Sequence, residues 1–517
     1  MVVGPGVFLV MLPVHVLAWD AIGVTTLRAM TTNLDGTGIR VAQPEDGLDA
    51  GDPQAWVVDP AEIGQSESLF TYTSSAGSTN VFPNVLGVGS FHASWVGGIF
   101  YGSYDGVAPH VAHVDNFEYH YFISAYIAGD QVALGDPVVN QSYGLGRLPA
   151  AIQQGYDSMF DDYAVRFGTL FVSAVDNGNG VHAPATCYNG IGVAAYGTDN
   201  SSIGPTVDNG RCKPDICAPD YVTSFSTPQV AGSATVLLQA ALRGDGGPST
   251  NAASDLRTLK ALLLNGAVKP VGWTNGRATP LDARYGAGVV NAYNAYAQLT
   301  GGKHGYNISN LITSGSAHLP AAGTGTVPVL TGWDFSTNFS ASTPTARDGV
   351  NHYYFDATNS PDTYLCTATL AWNRQFGQTN INNLGLFLYN CANSNLVACS
   401  TSLVDNVQHV FATQLAPGRY DLQVWKAGGA GIVSATEPYA LAFSFVAPKL
   451  TVSWSGSALL LKWPVYPAGL AVQANPDVSV TNGWNTAMLP DPVITNGEYV
   501  IPVNPSSASQ FFRLGQP

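Results

Sequence analysis

An α/β domain with a mostly parallel sheet flanked by helices, followed by two all-β modules, is the fold class this sequence predicts. Three observations predict it. Up to about residue 305, short apolar runs such as IRVAQ, LFVSAV and IGVAAY alternate with helix-like segments, the clearest being STPQVAGSATVLLQAAL and LRTLKALLLNGAV. Continuous apolar runs of that length read as strands covered on both faces, as in a parallel sheet packed between helices. From about residue 306 the helical pattern ends. HYYFDA, TATLAW, LGLFLY, YDLQVW and YALAFSF then follow at short spacings with turn residues between them, the pattern of a β-sandwich. A third stretch from Lys449, with LTVSW, ALLLKW, EYVIPV and QFFRL, predicts a smaller β-module.

Taken in order, residues 1–18 contain an apolar run from Val7 to Leu17, no acid, and Val16-Leu17-Ala18 as a small-residue cleavage pattern. That predicts a signal peptide and a secreted or cell-envelope protein. The run carries no Lys or Arg, so a buried N-terminal strand is the alternative. It is too short to span a membrane, which takes about 20 apolar residues. Residues 19–305 form the α/β domain, 306–330 a Gly/Ser/Thr/Ala-rich linker, 331–448 the sandwich, and 449–517 the last module. Only 11% of residues are charged, against about 25% in an ordinary domain. With 46% hydrophobic residues, a disordered chain is excluded. Lys and Arg number 20 against 35 Asp and Glu, a net charge of −15, so the basic footprint of a nucleic-acid binder is missing. The six cysteines fit an exported chain. Cys391 and Cys399, either side of ANSNLVA, are expected as a disulfide, and Cys187, Cys212 and Cys217 could supply a second. No Cys-x-x-Cys spacing occurs, so no zinc is expected.

Hydrolysis by a serine needs a nucleophile, an imidazole to take its proton, a carboxylate to orient the imidazole, and donors for the oxyanion. Ser224 in VTSFSTPQVAG precedes a helix of small and apolar residues, where the helix dipole favours developing negative charge. Pro228 is expected close to the start of that helix, where its missing N–H costs nothing. By itself Ser224 could equally be an ordinary capping serine. His92, in SFHASWVGG, is followed by small residues and an apolar helical run. His110, His113 and His120, with Asp115 and Glu118, could be imagined as metal ligands, but alternation along one strand accounts for them. Asn177 ends the apolar run LFVSAVDN, where its amide could donate to an oxyanion, or where Asn-Gly could simply turn the chain.

The context in which these residues stand resembles the subtilisin-like serine peptidases (subtilases). Val222 to Gly232, VTSFSTPQVAG, is similar to that family's Gly-Thr-Ser-x-Ala-x-Pro-x-Val-Ala-Gly motif. His92 to Gly98, HASWVGG, is similar to His-Gly-Thr-His-Val-Ala-Gly, and Gly106 to Pro109 match the Gly-Val-Ala-Pro that follows it. SAVDN places Asn177 at the oxyanion asparagine of Ala-Ala-Gly-Asn. KPDICAP before the serine and YGAGVVNAYNA after it also resemble family segments. The order is acid, His, Asn, Ser, at spacings of 47, 85 and 47 residues from Glu45 onward. The resemblance covers residues 20–305. The sandwich resembles the pre-peptidase C-terminal or convertase P-domain modules of secreted peptidases, APGRY being its most distinctive piece.

The resemblance implies a monomeric endopeptidase acting on protein or peptide with no required cofactor, in which Ser224 attacks, His92 moves the proton, Glu45 orients His92 and Asn177 holds the oxyanion. It also implies a substrate lying extended against a strand edge, and structural Ca²⁺ for which the acidic loop EDGLDAGDPQ is a candidate. Four positions depart from the family. Glu45 stands for the family's Asp, as in the related sedolisins, with Asp46 as the neighbouring alternative; adjacent strand residues face opposite ways, so only one can serve. Val222 replaces a Gly, which would strain the chain if the position needs φ > 0. Trp95 replaces a second His, and Asp176 replaces the Gly before Asn177, adding charge where an anion must be stabilised. Glu45, Val222 and Asp176 also motivate a second reading, a catalytically inactive subtilase fold that binds extracellular protein or polysaccharide. An α/β-hydrolase esterase is excluded, because no Gly-x-Ser-x-Gly occurs.

Overall fold

The computed structural model describes residues 21–47, 52–129, 131–178, 180–320, 325–342, 345–455, 458–480, 483–503 and 510–515. The expected signal peptide, residues 1–18, lies outside them, as do residues 48–51 of the candidate Ca²⁺ loop.

The apolar runs become the eight strands of one sheet: β1 (Arg40–Glu45), β2 (Phe70–Ser74), β3 (Gly77–Thr79), β4 (His113–Glu118), β5 (Val138–Gln141), β6 (Leu170–Ala174), β7 (Ile191–Tyr196) and β8 (Ile216–Pro219). Their order is β8-β7-β6-β5-β1-β4-β2-β3, and every pairing except the β2–β3 hairpin is parallel. Parallel neighbours need crossovers: α2 (Phe91–Tyr101) lies on the one into β4 and α3 (Ala150–Phe167) on the one from β5 to β6, while α1 (Val24–Met30) precedes β1 and α4 (Thr223–Arg243), α5 (Leu256–Asn265) and α6 (Ala292–Thr300) follow β8. β5 and β6 are buried at every residue, as strands covered on both faces must be.

α4 is the axis of this domain. It is buried on nearly its whole circumference, which its small residues permit. A Cβ on Gly232 would lie 2.5 Å from the Cβ of Val107, so glycine is what lets the helix approach that segment. The hydroxyls of Thr227, Ser233 and Thr235 are satisfied within the helix by the carbonyls of Thr223, Gln229 and Ala231 at 2.7–2.9 Å. Pro228 is not near the first helical position as expected, but the sixth residue of α4. There it removes the bond that the Ser224 carbonyl would accept. The Ser142 hydroxyl replaces it, donating to the Ser224 carbonyl at 2.8 Å.

The sandwich packs the sheet β9-β11-β16-β13-β14 on the sheet β10-β17-β12-β15, all antiparallel, with β9 (Ile308–Thr313), β10 (Thr331–Phe339), β11 (Arg347–Ala357), β12 (Tyr364–Trp372), β13 (Leu384–Asn390), β14 (Asn395–Ser400), β15 (Val407–Leu415), β16 (Gly418–Lys426) and β17 (Thr436–Val446). Tyr353, Phe355, Leu386, Leu388, Leu422, Leu441 and Phe443 fill the space between them. Two expectations are corrected here. The stretch 306–330 is not simply a linker, because β9 is an edge strand paired with β11 from Ile308↔His352 to Thr313↔Arg347. The Cys391–Cys399 disulfide does not form. β13 and β14 make a tight hairpin in which Asn390 faces Asn395 while Cys399 faces Phe387, so the cysteines sit at different heights of the ladder. All six cysteines are thiols.

The two large domains share a seam rather than a tether. α5 packs on β12 and β17, and the main core cluster runs on into Trp333, Ala371, Val407, Ala440 and Ala442. Asn265 Oδ1 accepts from the Thr367 and Thr369 hydroxyls at 2.9 and 3.0 Å, and Arg374 pairs with Asp161 at 2.9 Å. The Tyr188 ring lies between the Arg211 and Arg374 guanidiniums, 4.2 and 5.3 Å from its centroid. The last module is two small antiparallel sheets around Leu461, Trp463, Val472 and Ile501.

Candidate active site

Glu45 ends β1 and is fully buried, and its Oε2 lies 2.9 Å from His92 Nδ1. The extra methylene that a glutamate carries is accommodated from below. Gln43, two residues earlier on the same face of the strand, donates from Nε2 to Glu45 Oε1 at 2.8 Å and to the Ala93 carbonyl at 2.9 Å. Tyr101 in turn donates to Gln43 Oε1 at 2.5 Å. Burial, and then the charge of Glu45, push the Tyr101 phenol well above its ordinary range, so it remains a donor. Of the two acids left open by the sequence, Asp46 has no hydrogen bond to an imidazole among the described residues; burial raises its carboxyl above the usual range.

His92 is the second residue of α2, whose N-terminus Ser90 caps by accepting from Ala93 N at 3.0 Å. Its ring packs on Phe225, centroid to centroid 5.8 Å, which places the imidazole against the residue that follows Ser224. Ser224 is the second residue of α4 and in this rotamer donates from Oγ to the Ser142 carbonyl at 3.2 Å. Ser142 and Ser224 therefore bond each other twice, hydroxyl to carbonyl in both directions.

Val222, the residue before α4, has φ −138° and ψ 151°, an extended conformation open to a β-branched side chain, so the feared strain does not arise. It offers no capping group. Asn177 does this across space, its Oδ1 accepting from Thr223 N at 3.0 Å and from the Thr223 hydroxyl at 3.2 Å. With the amide oxygen so engaged, the Nδ2 end is the one left to donate, beside the first-turn N–H of Ser224, which no helical carbonyl can serve. Asp176 has φ 82°, the left-handed region that a glycine would occupy at no cost. Its carboxylate is turned into the fold, where Oδ2 meets His182 Nδ1 at 2.6 Å and Oδ1 accepts from Asn177 N at 2.6 Å.

The structure thus brings Glu45, His92, Ser224 and Asn177 to the carboxyl end of the sheet. It also adds Gln43, Tyr101, Ser142 and Thr223, which sequence reasoning missed. A polar Gln within the buried run IRVAQPE was the one available signal, since an apolar strand has no other use for it. The histidines considered as metal ligands go to separate partners: His110 to Asp35 at 2.8 Å, His113 to Thr71 at 3.0 Å, and His120 to Glu118 at 2.8 Å. Among the described residues no group of three or more His, Cys, Asp or Glu is placed to hold a metal ion. Two clefts flank the site. One of about 840 Å³ lies between Glu118–Ser124 and Gly144–Leu148, and one of about 410 Å³ lies along the outer face of α2.

Residues 123–288, which contain Asn177 and Ser224, match the model of the Subtilase family, Peptidase_S8. This is a subtilase domain. A subtilase domain is that of a serine-type peptidase, a hydrolase, and protein or peptide is its substrate class. Among solved structures, this chain is similar to a mutant of the protease domain of PatA, at 21% identity and TM-score 0.37 over 52% of this chain and 98% of that one. It is similar to a protease from Pseudoalteromonas arctica at 17% identity and TM-score 0.34, covering 55% and 92%. The PatG macrocyclase in complex with peptide matches at 15% identity and TM-score 0.38, covering 55% and 98%. Among the described residues no helix is long and apolar enough to cross a membrane.

Proposed function

We propose that this chain is a secreted serine endopeptidase that uses a Glu45/His92/Ser224 triad with Asn177 as oxyanion donor. The observation that carries this reading is the linked line Tyr101–Gln43–Glu45–His92, which ends with the imidazole packed on Phe225 at the serine's helix start. In it Ser224 Oγ exchanges the Ser142 carbonyl for the imidazole and attacks the scissile carbonyl. His92 takes the proton and returns it to the leaving amine. Glu45 fixes the tautomer and offsets the imidazolium charge. The oxyanion takes the Asn177 amide and the Ser224 N–H, with the helix dipole behind them. Two departures that motivated an inactive protein support activity instead: Val222 sits in an extended backbone, and the Asp176 carboxylate engages His182. Export rests on the apolar segment at residues 1–18.

The test is a fluorophosphonate probe and casein with the purified mature chain. Ser224 should be labelled and casein cleaved, with both lost in Ser224→Ala. An unlabelled Ser224 would sink the peptidase reading. Glu45→Ala should abolish turnover and Asp46→Ala should not; the reverse would reassign the acid.

A further inference from the structure

The cleft along α2 shares a wall with the chemistry. Phe91 and Trp95 flank His92 on one helix, with their rings 5.3 Å apart, and Trp95 packs on Phe225 at 5.8 Å. The cleft continues outward over Ile63, Gly98, Ile99 and Tyr104. Phe91, Trp95 and Tyr104 are 63%, 38% and 73% exposed, a costly display of aromatic surface unless something covers it. Two exposed acids, Glu62 and Asp105, stand on the rim, and neither forms an ion pair among the described residues. An aromatic trough edged by two carboxylates suits an aromatic or branched apolar side chain next to a cation.

We propose that this groove binds the substrate segment on the leaving-amine side of the scissile bond, and selects an apolar or aromatic residue followed by Lys or Arg. The inference rests on the peptidase reading for its direction. His92 hands its proton to the departing amine, so the departing chain passes over the helix that carries His92. The aromatic row from Phe225 through Trp95 to Phe91 makes the groove continuous with the site.

The test uses the full chain carrying Ser224→Ala and two fluorescently labelled peptides that differ in one half, Phe-Lys in one and Gly-Asp in the other. The Phe-Lys peptide should bind about tenfold tighter by anisotropy, or more. The gap should close in two chemically different variants that melt like the parent. Gly98→Phe fills the trough, and a Cβ there meets nothing nearer than Ile63 Cγ2 at 3.5 Å. Glu62→Lys with Asp105→Lys reverses the rim. Equal binding of the peptides, or a gap that survives both variants, overturns the groove. With Ser224 intact, mass-spectrometric mapping of the cuts should place Phe-Lys on the C-terminal side; enrichment on the other side overturns the direction. Should Ser224 resist the fluorophosphonate while the gap persists and closes as described, the peptidase reading falls and the groove stands as a peptide-binding site.

Discussion

Two of the imidazole–carboxylate pairs within the peptidase domain bear comparison. His92 and Glu45 are 2.9 Å apart, and His182 and Asp176 are 2.6 Å apart. Both histidines are largely buried, with 13% and 9% of their side chains accessible. Distance and the burial of the imidazoles do not separate them; the acids do, Glu45 being fully buried and Asp176 32% accessible, and so do their surroundings. Behind Glu45 stands a file of donors, Gln43 and then Tyr101, and beyond His92 lies the serine's helix. The carboxylate of Asp176 is spent on the backbone N–H of Asn177 as well as on His182, so that pair braces the segment carrying Asn177. A histidine beside an acid is common chemistry, and its role is set by what the far side of the ring faces.

The comparison can be broken most sharply at the rings. His92→Ala should lower kcat/KM by about 10⁴-fold or more, and Glu45→Gln by about 10³–10⁴-fold, measured on a chromogenic peptide. His182→Ala should leave the rate within tenfold and lower Tm instead, since it strands the Asp176 carboxylate; hydrogen bonds to charged groups contribute about 1.5–3 kcal/mol. Equal rate losses from the two alanines would erase the distinction drawn here. Asn177→Ala should cost about 10²–10³ in kcat through the oxyanion. It should also reduce Tm, because Asn177 caps Thr223 N, a contribution of about 1 kcal/mol. The last effect concerns an acid with no imidazole of its own. Asp136 faces Arg40, 3.4 Å from its Nε, and Asp115; burial, then the charge of Asp115, holds its carboxyl well above the usual range. The folded chain keeps a proton there that the unfolded chain releases above about pH 4, so this group's contribution to stability falls as pH rises. Asp136→Asn should therefore gain Tm relative to the parent on going from about pH 5 to about pH 8; a difference constant across that range would refute the assignment.

The strands and helices of the peptidase domain were legible because burial on both faces leaves unbroken apolar runs. Glu45, His92, Asn177 and Ser224 could be singled out because each sits in a local motif. Gln43 was not, because its work is done on Ala93, 50 positions away, and Ser142 was not, because its partner Ser224 is 82 positions away. Pro228 was placed too close to the helix start for the same reason: the residue that makes an interior proline tolerable there is Ser142. The strand at Ile308–Thr313 was read as linker because none of its residues is fully buried and the stretch that follows it is rich in small and polar residues. The expected disulfide failed on register, which sequence spacing does not reveal.

The junction between the two large domains carries a consequence for proteolysis. The segment joining two domains is where chains are usually nicked by proteases. Here the start of that segment is tied down. Gly302 accepts from Trp333 N at 3.1 Å, His304 N donates to the Trp333 carbonyl at 2.7 Å, and the Trp333 indole N–H is held by Leu299 O at 3.0 Å. A protease must draw its substrate out as an extended strand before it can cut, and drawing this one out would first unstitch the sandwich from the helix that precedes it. The seam that fuses the two domains thereby shields their junction from cleavage.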